Sequence, residues 1–217
     1  MTYYDKEHII RFGWVLVDLD RDEAVRRFHA LGVTDADEQL DAYEQKGIFR
    51  GLEDGTLTAS EFEKALTERY GGTFTHEAVY HAVMGFFRNV PLYKYAYLDE
   101  LRNRYRLFIL SNTNPYITEH TESEHFLPDG RRLSSYVEKV FASYRYKAMK
   151  PSPAFFNAIV AESGILPEES LFIDDGVANT QAAQKLGFNV LWVENASDWR
   201  NTLTRFLTDK ATKNNTK

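Results

Sequence analysis

A chain of 217 residues with a net charge of −6 and no cysteine is long enough for one α/β domain carrying a sizeable insertion. The missing thiol excludes disulfides, thiolate zinc centres and cysteine nucleophiles, and with no clustered basic run a nucleic-acid footprint is not supported. No apolar run is long enough to cross a membrane, and the first residues lack a charged-then-apolar leader, so a cytoplasmic location is the expectation.

Taken in order, Ile9 to Val17 reads as a strand and a tight loop, interrupted by Arg11 and Gly13. A helix from about Glu23 to Leu31 closes at Gly32. Residues 34–89 are patterned as helices, at Ala36–Gln45, Thr58–Tyr70 and His76–Phe87. Thr58-Ala59-Ser60-Glu61 and Thr75-His76-Glu77 are helix starts. Leu57, Phe62, Leu66 and Tyr70 share a face. Pro91 marks a return to alternation: helix Leu92–Arg102, strand Tyr105–Leu110, an apolar stretch Val137–Phe141, and helix Ala154–Ser163 behind Lys150-Pro151-Ser152-Pro153. A strand Leu171–Ile173, a helix Asn179–Leu186, a strand Asn189–Val193 and a helix Trp199–Leu207 follow. The lysine-rich residues 208–217 read as a disordered tail. This alternation predicts an α/β fold, a doubly wound parallel sheet with a helical-bundle insertion. The core is expected over 1–20 and 91–207, and the insertion over 21–90.

The densest chemistry lies in Leu171-Phe172-Ile173-Asp174-Asp175-Gly176. Two carboxylates stand at the carboxyl end of a buried strand, where open α/β sheets bind ligands. The pair suits a hard divalent cation such as Mg²⁺. Taken alone, it reads equally as a solvated turn in which Asp175 caps the next helix. Two further strand or helix boundaries carry polar groups: Ser111-Asn112-Thr113-Asn114, also readable as a helix-entry turn, and Lys150. The tyrosines of Tyr93-Lys94-Tyr95-Ala96-Tyr97 read as packing residues, and the histidines show no metal-ligand spacing.

With these pieces in order, the chain resembles the haloacid dehalogenase superfamily. Leu110-Ser111-Asn112-Thr113 matches its second motif, Lys150-Pro151 its third, and Ile173-Asp174-Asp175-Gly176-Val177-Ala178-Asn179 its fourth. Val15-Leu16-Val17-Asp18-Leu19-Asp20 looks like the segment after its first motif. The resemblance implies a Rossmann-like core with 21–90 as a cap that closes over the site. It implies hydrolysis of a small phosphorylated metabolite through an aspartyl-phosphate. Ser111, Asn112 and Lys150 would bind the phosphate, and Asp174 and Asp175 would hold Mg²⁺. Ser111 with Lys150 favours a phosphatase over a dehalogenase. Paired acids this far from the amino terminus argue against a phosphate-accepting receiver domain.

The first motif departs from the family. Arg11 stands where the nucleophilic aspartate belongs, and Gly13 takes the acid/base position. A guanidinium stays protonated and is no nucleophile, so the chain as written is expected to be impaired and to bind Mg²⁺ weakly or not at all. The alternative is an inactive relative that binds a phosphorylated metabolite or a protein partner. A second register puts the nucleophile at Asp18 and the acid/base at Asp20, but leaves little chain before the helix near Glu23. A third reading is genetic. If residues 10–14 were encoded ATT CGA TTT GGG TGG G, the frame one nucleotide later spells Phe-Asp-Leu-Gly-Gly, the expected motif, which suggests a compensated frameshift. Gln45, Lys46 and Arg50 are the cap residues named as candidates for reaching substrate.

Overall fold

The computed structural model describes residues 7–10, 13, 15–41 and 44–214, with 7–10 and 210–214 described by backbone only. The chain lays down β1 (Glu7–Ile10) and a two-residue strand β2 (Asp18–Leu19), then leaves the sheet. It builds α1 (Arg21–Ala30), α2 (Ala36–Gln39), α3 (Gly47–Asp54), α4 (Ala59–Tyr70) and α5 (His76–Val83), and returns through β3 (Phe87–Asn89). The remainder alternates: α6 (Leu92–Leu101), β4 (Arg106–Ser111), α7 (Pro115–Thr121), β5 (Lys139–Ala142), α8 (Ser143–Tyr146), α9 (Pro153–Ser163), β6 (Ser170–Asp174), α10 (Val177–Lys185), β7 (Asn189–Trp192) and α11 (Arg200–Asn214).

Five strands form one parallel sheet in the order β5-β4-β1-β6-β7. β4 and β6 are apolar on both faces because both faces are covered. Leu107, Ile109, Leu171 and Ile173 pack against Leu98, Trp199 and Leu203. Phe108, Leu110 and Phe172 pack on the opposite side against Phe155, Phe156 and Ile159. This is the doubly wound arrangement that the alternation predicted. Val15, Leu16 and Val17 are fully buried in the loop between β1 and β2, where Trp199 Nε1 donates to the Val15 carbonyl at 2.9 Å.

The insertion from 21 to 90 is helical, and its two linkers pair as antiparallel β2 and β3. Its apolar cluster gathers Phe28, Phe49, Phe62, Leu66 and Val79 around edge-to-face phenylalanines. Tyr116, from the first turn of α7, belongs to the same cluster and is fully buried. A capping box at Thr58 and Glu61 starts α4, as the sequence reading anticipated.

Three details differ from the sequence reading. α2 stops at Gln39, because Leu40 turns extended and the Gln45 side chain bonds back to Asp41. A separate helix, α3, then forms across Gly47 and Gly51. At the far end, α11 continues to Asn214 through residues expected to be a disordered tail from 208. Leu203, Phe206 and Leu207 are spaced as one apolar stripe along this helix. Among the described residues, no helix is long and apolar enough to cross a membrane.

Candidate functional site

The carboxyl ends of β4 and β6 meet a cavity of about 710 Å³ whose far wall is the insertion. Asn112, Lys150 and Asp175 line its floor, and Glu44, Arg50 and Asp54 line the wall facing them.

Lys150 is the hub of the floor. Its side chain is 1% exposed, and its ammonium donates to Asp174 Oδ2 at 2.7 Å and to the Leu110 carbonyl at 2.8 Å. Asn112 holds the loop that delivers it. The Asn112 side-chain amide donates to the Lys150 carbonyl at 2.9 Å, while its oxygen accepts from the Lys150 N–H at 2.8 Å. Asn112 therefore fixes the backbone of Lys150 through its side chain, a role that its position in the sequence did not disclose. The Lys150–Pro151 peptide is cis. Ser111 is buried, and its hydroxyl makes a long 3.3 Å contact to the Asn112 carbonyl.

Asp174 and Asp175 are both buried but differ in surroundings. Asp174 Oδ1 accepts from the Gly176 N–H at 2.7 Å and from Asn179 Nδ2 at 3.0 Å, while Oδ2 takes Lys150. Asp175 lines the cavity, and its carbonyl accepts from Trp192 Nε1 at 2.8 Å. Gly176 permits this turn, since a Cβ there would lie 2.8 Å from Asn179 Nδ2 and 3.0 Å from Asp174 Oδ1. Trp192 was not singled out by the sequence, and Asn179 entered as the end of the fourth motif, with no role given to it. The signal for Asn179 was available, as it closes the Asp-Asp-Gly turn by reaching back five residues.

The other sequence candidates fall elsewhere. Arg11 lies outside the described residues. Gly13 sits in the loop after β1, bridged to Val17, and its added Cβ would meet Leu19. Asp18 is not on the cavity wall. Its carboxylate accepts from Asn89 at 3.1 Å and lies 3.7 Å from the Lys94 ammonium. Asp20 caps α1 by accepting from the Glu23 N–H at 2.9 Å. Both acids of the second register are thus committed to the insertion's linker and first helix. Of the three cap candidates, Arg50 reaches the cavity, whereas Gln45 and Lys46 are not among its lining residues. His76, read as structural, bridges the insertion to the core: Nδ1 faces Glu63 at 2.9 Å and Nε2 faces Glu119 at 2.8 Å.

Two comparisons decide what this architecture is. A haloacid dehalogenase-like hydrolase family model matches residues 60–187, more than half of the chain. The D-ribitol-5-phosphate phosphatase of Bacteroides thetaiotaomicron is 42% identical over 202 residues, covering 93% of this chain and 98% of that protein. The chain belongs to the haloacid dehalogenase-like hydrolases. A solved haloacid dehalogenase-like structure from Porphyromonas gingivalis superposes with a TM-score of 0.89 at 42% identity, covering 93% of this chain and 97% of that one. A haloacid dehalogenase family enzyme from B. thetaiotaomicron was solved as an aspartate-to-alanine variant with magnesium and inorganic phosphate. It superposes at 0.85 with 31% identity over 91% of this chain and 98% of that one. Within this family the α/β sheet is the core and the helical insertion the cap.

Proposed function

We propose that this chain is a phosphomonoesterase whose substrate is a small phosphorylated polyol of the ribitol 5-phosphate kind. The observation that supports it most is the floor of the cavity, where Asn112 after β4, Asp175 after β6 and Lys150 from the loop before α9 come together, with Asp174 bonded to Lys150 behind them, in a chain that matches a sugar-alcohol phosphatase along nearly its whole length. Lys150 would supply a fixed positive charge for the phosphate oxygens, held in place by Asp174 and by the Asn112 clamp. The Ser111 hydroxyl, engaged only at 3.3 Å, would turn to donate to a phosphate oxygen.

Adjacent carboxylates at 174 and 175 are a donor set that fits Mg²⁺, which is bound through one or two carboxylates and keeps several waters. Asp175, facing the cavity, would be the principal protein ligand, with Asp174 divided between the metal and Lys150. When bound, the ion would neutralise charge on the transferring phosphoryl group. The nucleophile is the open question for the sequence as written. Arg11 at the aspartate position favours a second reading, a relative that binds the phosphate ester without cleaving it.

Hydrolysis of p-nitrophenyl phosphate and ribitol 5-phosphate, with and without Mg²⁺, tests both readings on the chain as written and on Arg11→Asp. The expected result is Mg²⁺-dependent release in Arg11→Asp, at least about 10³-fold above the chain as written. Equal activity in both proteins would remove the impaired-nucleophile reading, and no release from either would overturn the phosphatase reading. The intact mass of protein made from the natural gene would show whether residues 1–14 are those written here.

A further inference from the structure

The wall opposite the phosphate-binding floor is ionic, and its charges are arranged rather than scattered. Arg50, on α3, is ion-paired with Glu44, and its Nε lies 4.0 Å from Asp54 Oδ2. Asp54 is itself fixed, since its Oδ1 accepts from the Thr56 N–H at 3.0 Å and from the Thr56 hydroxyl at 2.7 Å. Two carboxylates around one guanidinium leave this wall one negative charge in excess, facing the cavity. Lys147 lines the core side, on a left-handed backbone with φ of 49°.

This wall is held against the core. The end of α3 docks on α8: Ser143, fully buried, donates to the Glu53 carbonyl at 2.6 Å and accepts from the Thr113 N–H at 3.0 Å. Gly55 comes so close that a Cβ would stand 2.0 Å from the Tyr144 carbonyl oxygen. The residues that flank Asp54 on both sides are therefore anchored, and the wall stands at a set distance from Lys150 and Asp175.

We infer that Glu44 and Asp54, held on either side of Arg50, determine which phosphate ester the site takes, a role that rests on the phosphomonoesterase reading. Hydroxyl groups of an uncharged tail donate to the two carboxylates and accept from the guanidinium. A tail ending in a second anion meets two carboxylates and finds the guanidinium already engaged by them. The site selects by rejecting a wrong charge as much as by binding the right tail. A cavity of about 710 Å³ leaves room for several carbons beyond the phosphate.

The test compares ribitol 5-phosphate with ribonate 5-phosphate, in which a carboxylate replaces the terminal hydroxymethyl group. Each is titrated by calorimetry into the full chain with Mg²⁺, and kcat/KM is measured wherever phosphate is released. The expected preference for the ribitol ester is about tenfold or more. Asp54→Lys lowers that ratio toward or below one. Glu44→Lys, at a more exposed position, does the same and covers the case in which Asp54→Lys fails to fold. Arg50→Met raises the ratio, because it leaves the carboxylates unopposed. A structural role alone would not move the ratio in opposite directions with the sign of the change. Equal binding of the two esters, or ratios unmoved by these variants, overturns the assignment while leaving the phosphomonoesterase reading standing. No binding of either ester, with p-nitrophenyl phosphate also untouched by the chain and by Arg11→Asp, overturns both.

Discussion

Among the described residues, two lysines are buried against aspartates, and the two pairs are built differently. Lys150 sits on the floor of the cavity with its ammonium 2.7 Å from Asp174 and a second bond to a strand-end carbonyl. Lys94 is fully buried at the start of α6, 3.7 Å from Asp18, and its ammonium makes no hydrogen bond. Asp18 is shared with Asn89, so this second pair spans the two linkers through which the cap joins the core. A buried ion pair repays its desolvation only where geometry and added hydrogen bonds are good. By that measure the Lys150–Asp174 pair is well made and the linker pair is not. Burial holds the Lys94 pKa below the usual lysine value, with the nearby Asp18 carboxylate opposing the shift.

The largest effect is expected at the well-made pair. Lys150→Met strands the fully buried Asp174 carboxylate and should cost about 3–5 kcal/mol of stability, read by urea unfolding, together with loss of phosphate binding by calorimetry. A cost below about 1 kcal/mol would erase the distinction drawn here. Next, Phe172→Ala removes the ring that packs edge-to-face on Phe156 at 5.3 Å behind the Lys150 loop. The expected loss is about 3–5 kcal/mol, with the ion pair retained but the ring under the Lys150 ammonium, 5.5 Å away, removed along with the packing.

Replacing both partners, Lys94→Met with Asp18→Asn, should be neutral or stabilising by up to about 2 kcal/mol, since no buried charge is left alone, whereas Lys94→Met by itself strands part of the Asp18 carboxylate and is less favourable. The pH dependence sharpens the point. Between the lowered folded pKa of Lys94 and its unfolded value near 10.5, the unfolded chain binds more protons, so stability from this group rises with pH across that window. The melting temperature of the wild-type chain should therefore gain on Lys94→Met as pH increases toward 10. A gap that widens instead would mean that the pair is stabilising.

The smallest effect belongs to His76, half-exposed between Glu63 of the cap and Glu119 of the core. Burial lowers its pKa, but the hydrogen bonds and charges of Glu119 and Glu63 outweigh it and the net shift is upward. A raised folded pKa means that the bridge contributes fully below about pH 6.5 and is lost as pH rises through the folded value. At this exposure the contribution is under about 1 kcal/mol. Comparing His76→Gln with wild type at pH 5.5 and 8.5 should show a difference only at the lower pH.

The parts of the site that could be read from sequence are those where an apolar run ends in polar residues. Asp174 and Asp175 after Leu171–Ile173, and Ser111 and Asn112 after Arg106–Leu110, announce themselves by that contrast. The fold was legible for the same reason, since strands buried on both faces leave continuous apolar runs. The cap wall was not. α3 contains Gly47 and Gly51, which lower helix propensity, yet a Cβ at Gly51 would come within 3.0 Å of the Leu57 and Thr56 side chains, which would have to shift. Glu44 and Asp54 acquire meaning only through docking on Ser143 and Tyr144, some ninety residues away in the chain. The helix-entry turn read at Ser111–Pro115 is there, with Asn114 as the cap and Pro115 as the first residue of α7, but the extent of that helix was not drawn. The linker pair escaped because nothing in Tyr93-Lys94-Tyr95 distinguishes a buried lysine from a solvated one.

Tyr116 gives the two halves of this protein a shared inheritance. Its ring stacks on His76 at 5.0 Å and its hydroxyl donates to Glu63 at 2.7 Å, with the whole side chain enclosed by cap residues. The cap's interior is therefore completed by a residue that the core encodes, only five positions after Ser111. A cap transplanted from a relative to change substrate would arrive with a socket shaped for a different side chain. A core stripped of residues 21–90 would present Tyr116 and Ile117 to water just beyond the carboxyl end of β4. Exchange of caps on this scaffold, by engineering or by recombination, has to carry α7 along with the insertion.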